Sequence, residues 1–516
     1  VTKYPFTKSF QTQGVWFLPQ TPHATTAGTL SWSEDGALLA VFESFRPLRG
    51  AVNADHYNQY DVVHGTTVGS DRVTVLNAVS TSQMINIGRE GMKQPEATRS
   101  SWLVVGDHVT QETVYEEVRV RIPGLQIWIS ISGIEQIIVD RTPERPASIH
   151  YRVPAMSEEV VHIDSVDAHF GWGLNRDFAG DVVSEISVVT SGWLTIKPAS
   201  PQIFEWYVTQ AAKVISLLSF VAGTAMGYDA IEAKIADAHI DVHVLLATRG
   251  TTCVFTRASD FFMLRSAMGV ELEVVLRSWF SIYERIAAPI ELALSVLSTK
   301  ALWPNVEFLL LMQALEGFHR ATAPGVYMPN EDYKKVRKTL NAAIPPIVSS
   351  SHKAALKSRI EYGNEISLRK RLAELSSRLA TPIRTLLFAS RGEPPQSWID
   401  TRNYYTHWDQ TARDGCLNAL EMHRAATRMR LWLRCAYLMT MGIPHEAIAR
   451  ALVHTSREAQ YLLQLNHLDR SGRDPHYTGG TLMHIGLADP ADPLHSADRD
   501  PTEEEEPHDR GSANPT

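Results

Sequence analysis

The hydrophobic pattern of this chain changes period once, and that change governs what it can fold into. Through the first 200 residues the apolar side chains come in short, partly alternating runs. Among them are Gly28–Trp32 (GTLSW), Ala37–Phe42 (ALLAVF), Arg72–Leu76 (RVTVL), Trp102–Val105, Thr113–Ile122 (TVYEEVRVRI), Leu125–Ile131 (LQIWISI) and Val182–Val189. The runs are rich in Val, Ile, Trp and Thr and are separated by SEDG, IPG and TSG, which are strand and turn signals. Alternation in TVYEEVRVRI puts one face of a strand inside and the other in water. Many short strands with little helix between them predict antiparallel sheets, as a sandwich or a barrel.

At Ser200-Pro201 a serine cap followed by proline predicts the start of a helix running to about Gly223. Its apolar residues, including Phe204, Val208, Ala211, Ile215, Leu218 and Val221, recur every three or four positions. Strand returns at Ile240–Leu246 and Thr252–Phe255, and from about Glu271 the chain reads as helical. The expected helices are 271–300, 303–322, 331–342, 351–380, 397–409, 413–441 and 444–465, punctuated by Pro304, Pro324, Pro345-Pro346, Pro394-Pro395 and Gly442. The predicted fold class is therefore α+β multidomain. A β-rich N-terminal domain with connecting helices covers 1–285, an all-α bundle covers 286–468, and a disordered acidic tail covers 469–516.

Composition narrows the class further. With 44% hydrophobic and 21% charged residues over 516 positions, the chain reads as soluble and globular. Cys253, Cys416 and Cys435 lie far apart, so no disulfide framework is expected and a reducing cytoplasm is the natural compartment. The opening VTKYPFTKSFQTQ lacks the apolar core of a signal peptide, and a chain starting at Val fits an alternative start codon or trimming. The most apolar stretch, Val214 to Met226, is shorter than the roughly 20 residues of a membrane span, so no membrane partner is expected. The net charge of -8 is uneven. Residues 471–516 hold three Arg against ten Asp or Glu, whereas 331–380 hold eleven Lys or Arg against five acidic groups. That basic stretch fits either a polyanion partner or a solvated helix face laced with ion pairs.

The chemistry concentrates in Trp398 to Asp409, WIDTRNYYTHWD. On a helix Asn403 and His407 share a face, and the long Arg402 side chain can swing its guanidinium toward that side. A fixed cation beside an imidazole suits RNA cleavage by transesterification. The imidazole moves protons on or off the 2′-oxygen or the leaving 5′-oxygen, and the arginine fork binds the scissile phosphate and stabilises its growing charge. That route requires no metal and no cofactor. Tyr404 and Tyr405 are candidates to stack on bases, or equally to pack in the core. Because one copy supplies a single histidine, acid and base together call for a twofold homodimer with two such helices across its axis.

The Arg-Asn-x-x-x-His sequence resembles the Arg-x(4–6)-His signature of HEPN ribonucleases. Three blocks, Leu311–Arg320 (LMQALEGFHR), Tyr362–Leu375 (YGNEISLRKRLAEL) and Ile399–Asp409 (IDTRNYYTHWD), are similar in order and spacing to the HEPN domain of the ApeA family of bacterial anti-phage proteins. That likeness spans about 300–465. A looser one, through Gly14–Pro19 (GVWFLP), Gly124–Trp128 (GLQIW) and Phe220–Gly223 (FVAG), extends to the ApeA N-terminal domain. The resemblance implies a metal-independent endoribonuclease, dimeric, with its site at the subunit interface. Arg402 and His407 would be the catalytic pair, with Asn403 in support. It also implies abortive-infection defence in which a phage-derived trigger acts at the N-terminal domain.

Other polar residues carry two readings each. Glu316 and His319, three apart, either line the cleft or brace the bundle. Arg369, Lys370 and Arg371 either hold RNA phosphates or pair with Glu365, and the run Arg424, Arg428, Arg430 and Arg434 is open in the same way. His239, Asp241 and His243 on one side of a strand would make a weak metal face, and His162, Asp164 and His169 a weaker one. Phosphate-loop, nucleophile-elbow and H-E-x-x-H motifs are missing from the sequence. Two rival functions remain at this stage: a non-catalytic bundle that binds RNA, a nucleotide or a partner, and one half of a toxin–antitoxin pair.

Overall fold

The computed structural model describes residues 8–46, 58–83, 94–129, 136–142, 145–152, 158–181, 185–247, 257–299, 301–388, 392–454 and 460–466. The expected strand at 252–255, the start of the run at 182–184 and the acidic tail at 469–516 lie outside the described residues.

The N-terminal region builds strands β1 (Phe10–Phe17), β2 (Thr26–Ser33), β3 (Gly36–Val41), β4 (Gln59–Thr67), β5 (Arg72–Gln83), β6 (Glu96–Ser100), β7 (Trp102–Val105) and β8 (Val114–Arg121). After a short helix α1 (Leu125–Ile129) come β9 (Gln136–Thr142), β10 (Arg145–Arg152), β11 (Glu159–Ile163), β12 (Ala168–Asp181), β13 (Glu185–Pro198) and β14 (Gln202–Ile203). Helix α2 (Phe204–Ala222) and strands β15 (Ala230–Ile235) and β16 (Asp241–Leu246) complete it.

Among the described residues the strand pairings are antiparallel, and six strands close on themselves in the order β1-β2-β3-β6-β5-β4. Closure removes the edges that an open sheet would expose. Alternating residues fill the inside: Thr26, Gly28, Leu30 and Trp32 of β2 are buried, with their neighbours more exposed. Trp16 is seated because its register partner is Gly65, where an added Cβ would fall 2.1 Å from the indole. Strand β5 divides its pairing. Val73 to Leu76 pair with β7, while Val79 onward pairs with β6. From β7 the sheet continues through β16, β15, β8, β13, β12 and β11. In β8 Val118 and Val120 are buried and alternate with Arg119 and Arg121, which pair outward to Glu232 and Asp229, while Tyr115 is buried across a bulge where the register shifts between Lys234 and Ile235.

Two local expectations are corrected here. Leu125–Ile131 is not a strand: residues 125–129 are helical. Gly124 turns the chain with φ +86°, and Leu125 and Trp128, three apart, are both fully buried, which a helix allows and a strand does not. Helix α2 begins at Phe204, three residues beyond Pro201, because β14 pairs with β8 first. It ends as expected at Gly223, whose φ of 84° makes a left-handed cap.

The helical region follows as α3 (Leu272–Ser298), α4 (Pro304–Thr322), α5 (Asn330–Ala342), α6 (Ser350–Glu361), α7 (Leu368–Ser377), α8 (Thr381–Phe388), α9 (Gln396–His407), α10 (Ala419–Thr440) and α11 (His445–His454), with residues 460–466 helical again. The single helix expected over 351–380 is two. Asn364 breaks it, its amide bonding the backbone of Met328 and the side chain of Asn330, and Ser367 then caps α7. Likewise α10 starts at Ala419, behind the reciprocal Asn418–Glu421 capping box, and not at 413.

Helix α10 is the centre of the bundle and is buried along most of its length. Its Tyr437 ring meets Phe318 of α4 at 4.9 Å and Phe220 of α2 at 4.5 Å. Positions 285 and 286 lie within α3, which packs against both α2 and α4. One continuous apolar cluster runs from the barrel through α2 and α3 into the bundle, and residues 1–467 form one compact unit. Among the described residues no helix is long and apolar enough to cross a membrane.

Candidate active site

Helix α9 is held by one face. Trp398, Ile399 and Thr401 are buried, and the Thr401 hydroxyl donates to Ser397 O at 2.7 Å while accepting from Leu417 N at 2.8 Å. Exposure rises toward the C-terminal end of the helix: Arg402 and Asn403 are half-buried, and Thr406 and His407 are exposed. His407 is the last helical residue, and the chain bends away at once. Trp408 adopts φ 53°, ψ 36°, and its N–H closes the helix on Tyr404 O at 2.7 Å. Asp409 then accepts from Thr411 N and Oγ1 at 3.0 and 2.6 Å. Those hydrogen bonds hold its exposed carboxyl below the usual aspartate range. This bend leaves the imidazole of His407 exposed at the helix end.

Arg402 and His407 touch. Arg402 Nη1 lies 3.2 Å from His407 Nε2 and 3.3 Å from Asn403 Oδ1. A guanidinium only donates, so Nε2 is the acceptor in this contact, and a neutral ring accepting there carries its proton on Nδ1. The other arm of the guanidinium, Nη2, sits 3.5 Å from Glu316 Oε2 on α4. Glu316 also accepts from Arg320 Nε and Nη2 at 3.2 and 3.0 Å, and Arg320 Nη1 reaches Glu365 Oε2 at 2.6 Å. Alternating charges thus tie all three sequence blocks to the Arg402 fork. Such a lattice fixes the position of a long, flexible side chain before any ligand arrives.

Of the residues singled out in the sequence, Glu316 stands at the site and His319 stands behind it. His319 is fully buried, accepts at Nδ1 from Arg371 Nη1 (3.3 Å) and donates from Nε2 to Glu374 (2.9 Å). Burial holds its pKa below the ordinary histidine value, the Glu374 hydrogen bond opposing and the Arg378 and Arg371 charges assisting. It braces α4 against α7 as a neutral imidazole. Arg371 is 2% exposed and is spent on His319, Gly325 O and Glu365, so it has no surface to offer a phosphate. Arg369 and Lys370 are exposed, the first bonded to Gln396 at the start of α9, the second 4.5 Å above the Tyr327 ring. Tyr404 and Tyr405 are half-buried and meet edge to face at 5.1 Å. On α10, Arg428 and Arg434 are buried, and Arg430 pairs with Glu307.

The sequence reading passed over Arg320, whose link to Glu316 was foreshadowed by their i,i+4 spacing, and over Trp408, which lay inside the helix expected to run to 409. The first of the weak metal faces comes apart. His239 precedes β16 with φ 53° and bonds Glu116 at 3.2 Å, off the strand face that carries Asp241 and His243. His162 packs on His169 at 4.6 Å and pairs with Asp164. Among the described residues no group of three or more His, Cys, Asp or Glu has the geometry to hold a metal ion.

Two family models match the chain. The Apea-like HEPN model covers residues 309–447, which include the whole lattice from Glu316 to His407. The ApeA N-terminal domain 1 model covers residues 11–279, more than half of the chain and nearly all of the sheet and α2. No curated protein matches it. A closed barrel with its extended sheet, followed by a helical bundle whose three sequence blocks meet at one Arg–His pair, is the setting in which those matches fall, and the chain belongs to the ApeA family, with an ApeA N-terminal domain leading into an Apea-like HEPN domain.

Proposed function

We propose that this protein is a metal-independent HEPN endoribonuclease of anti-phage defence. The observation that carries the reading is the 3.2 Å approach of Arg402 Nη1 to His407 Nε2 at the exposed end of α9, inside the HEPN match. Arg402 binds a non-bridging oxygen of the scissile phosphate, and Glu316 and Asn403 keep its fork in place. His407 takes the proton from the 2′-hydroxyl or returns one to the leaving 5′-oxygen. The O2′–P bond forms, the P–O5′ bond breaks, and the products are a 2′,3′-cyclic phosphate and a 5′-hydroxyl. A second His407, from the other copy of a homodimer, supplies the complementary proton transfer. The N-terminal domain senses a phage-derived trigger or restrains the bundle until one arrives.

Basic surface on the helical domain supports an RNA substrate. Helices α5 and α6 bury no residue, and Lys338, Lys353, Lys357 and Arg359 on them are in no ion pair among the described residues. With Arg369 and Lys370 they offer phosphate contacts whose strength falls as salt rises. The test is incubation of the purified protein with total cellular RNA and with DNA, resolved on a denaturing gel. RNA fragments bearing 2′,3′-cyclic phosphate ends are expected, with DNA untouched because it lacks the internal nucleophile. Intact RNA under every trigger, with binding retained, would leave a non-catalytic RNA-binding protein.

A further inference from the structure

We propose that Trp408 is the platform on which the RNA lays the nucleobase next to the bond being cut. The inference rests on the nuclease reading of α9 and extends it to a substrate subsite. Trp408 follows His407 directly, and its side chain is 69% exposed. Its backbone sits at φ 53°, ψ 36°, a left-handed conformation that crowds any Cβ. Among the described residues its only hydrogen bond is from its backbone N–H to Tyr404 O, which a glycine or asparagine would supply with less strain. The indole is therefore not what closes the helix. A strained backbone bearing an exposed aromatic ring beside a catalytic pair is the kind of departure from local preference that functional sites carry.

The surroundings name the occupant. One edge of the indole meets Tyr404 at 6.1 Å, and Tyr404 in turn meets Tyr405 at 5.1 Å, so three rings follow one another along the end of α9. The turn beyond is pinned by Asp409 on Thr411, so the indole hangs from a braced backbone. His407, the residue before it, touches the guanidinium of Arg402, the group that takes the phosphate. A cation for the backbone and a π-face for the base are together what single-stranded RNA requires, and the stacking is tolerant of sequence because every base has a face.

The experiment compares Trp408→Gly and Trp408→Phe with wild type. Glycine suits the left-handed cap, so that variant should fold with an undiminished Tm. On single-stranded RNA its kcat/KM should fall about 5- to 100-fold, chiefly through KM, while the phenylalanine variant keeps most of the activity. A second readout avoids cleavage: His407→Ala protein is titrated with RNA carrying 2-aminopurine, and quenching of that base should vanish when Trp408→Gly is added. Wild type that cuts RNA while Trp408→Gly cuts equally well overturns the platform and leaves the nuclease intact. Should wild type cut nothing, the nuclease reading fails, and undiminished 2-aminopurine quenching in the glycine variant would overturn the platform separately. Sedimentation showing that Trp408→Gly separates a dimer would assign the indole to a subunit interface and also overturn it.

Discussion

Replacing His407 with alanine should slow RNA cleavage by about 10²- to 10⁴-fold while leaving the fold and the oligomer unchanged. The imidazole is exposed and has Arg402 as its bonded neighbour, so on the proposed mechanism its removal takes away proton transfer and little else. Arg402→Lys makes the complementary case. Lysine keeps the charge and loses the planar fork that spans His407, Asn403 and Glu316. Its expected loss is about 10²- to 10³-fold, the size found for removing one donor to a developing anion. The two losses should not add, because an anchored phosphate without a proton carrier and a proton carrier without an anchored phosphate fail at the same step. Initial rates on a defined RNA, with Tm recorded for each variant, check both.

Trp279→Ala should cost about 3–5 kcal/mol of stability, the range for truncating a large buried aromatic ring. Trp279 lies on α3, is fully buried, and donates from Nε1 to Lys213 O of α2 at 2.8 Å. Its ring also meets Phe220 of α2 at 6.1 Å and Tyr437 of α10 at 6.1 Å. The cavity would open where the helix behind the sheet, the connecting helix and the central bundle helix converge. Urea unfolding followed by circular dichroism and tryptophan fluorescence should give one shifted transition for both probes, since the apolar cluster is continuous through that point. An unshifted midpoint, or a loss confined to one probe, would contradict the shared core.

The change from period 2 to helical period was legible because it follows from burial of alternate residues on a sheet and of every third or fourth on a helix. Closure of the barrel was not. It depends on β5 giving one end to β7 and the other to β6, a long-range pairing that leaves no local mark. LQIWISI was misread for a related reason. A short apolar run fits a strand or a buried helical turn, and Gly192, which lets Leu125 press on the sheet, is far along the chain. At the site, the spacing allowed Arg402 to reach His407, and the resemblance to HEPN ribonucleases singled that pair out. The inward use of Arg371 could not be read, since a basic residue in a basic helix shows no sign of being buried until His319 and Glu365 are placed beside it. Trp408 was hidden by the same limit. The left-handed turn that ends α9 at His407 belongs to a residue type that rarely adopts it.

The most direct measurement of the central claim uses an RNA with a mapped cut and one 2′-hydroxyl at that position replaced by hydrogen. Attack by the neighbouring oxygen, driven by Arg402 and His407, predicts that cutting stops at the altered nucleotide and continues at unaltered sites, each product carrying a 2′,3′-cyclic phosphate. Continued cutting at the deoxy position, by wild type or by the His407→Ala variant, would contradict it.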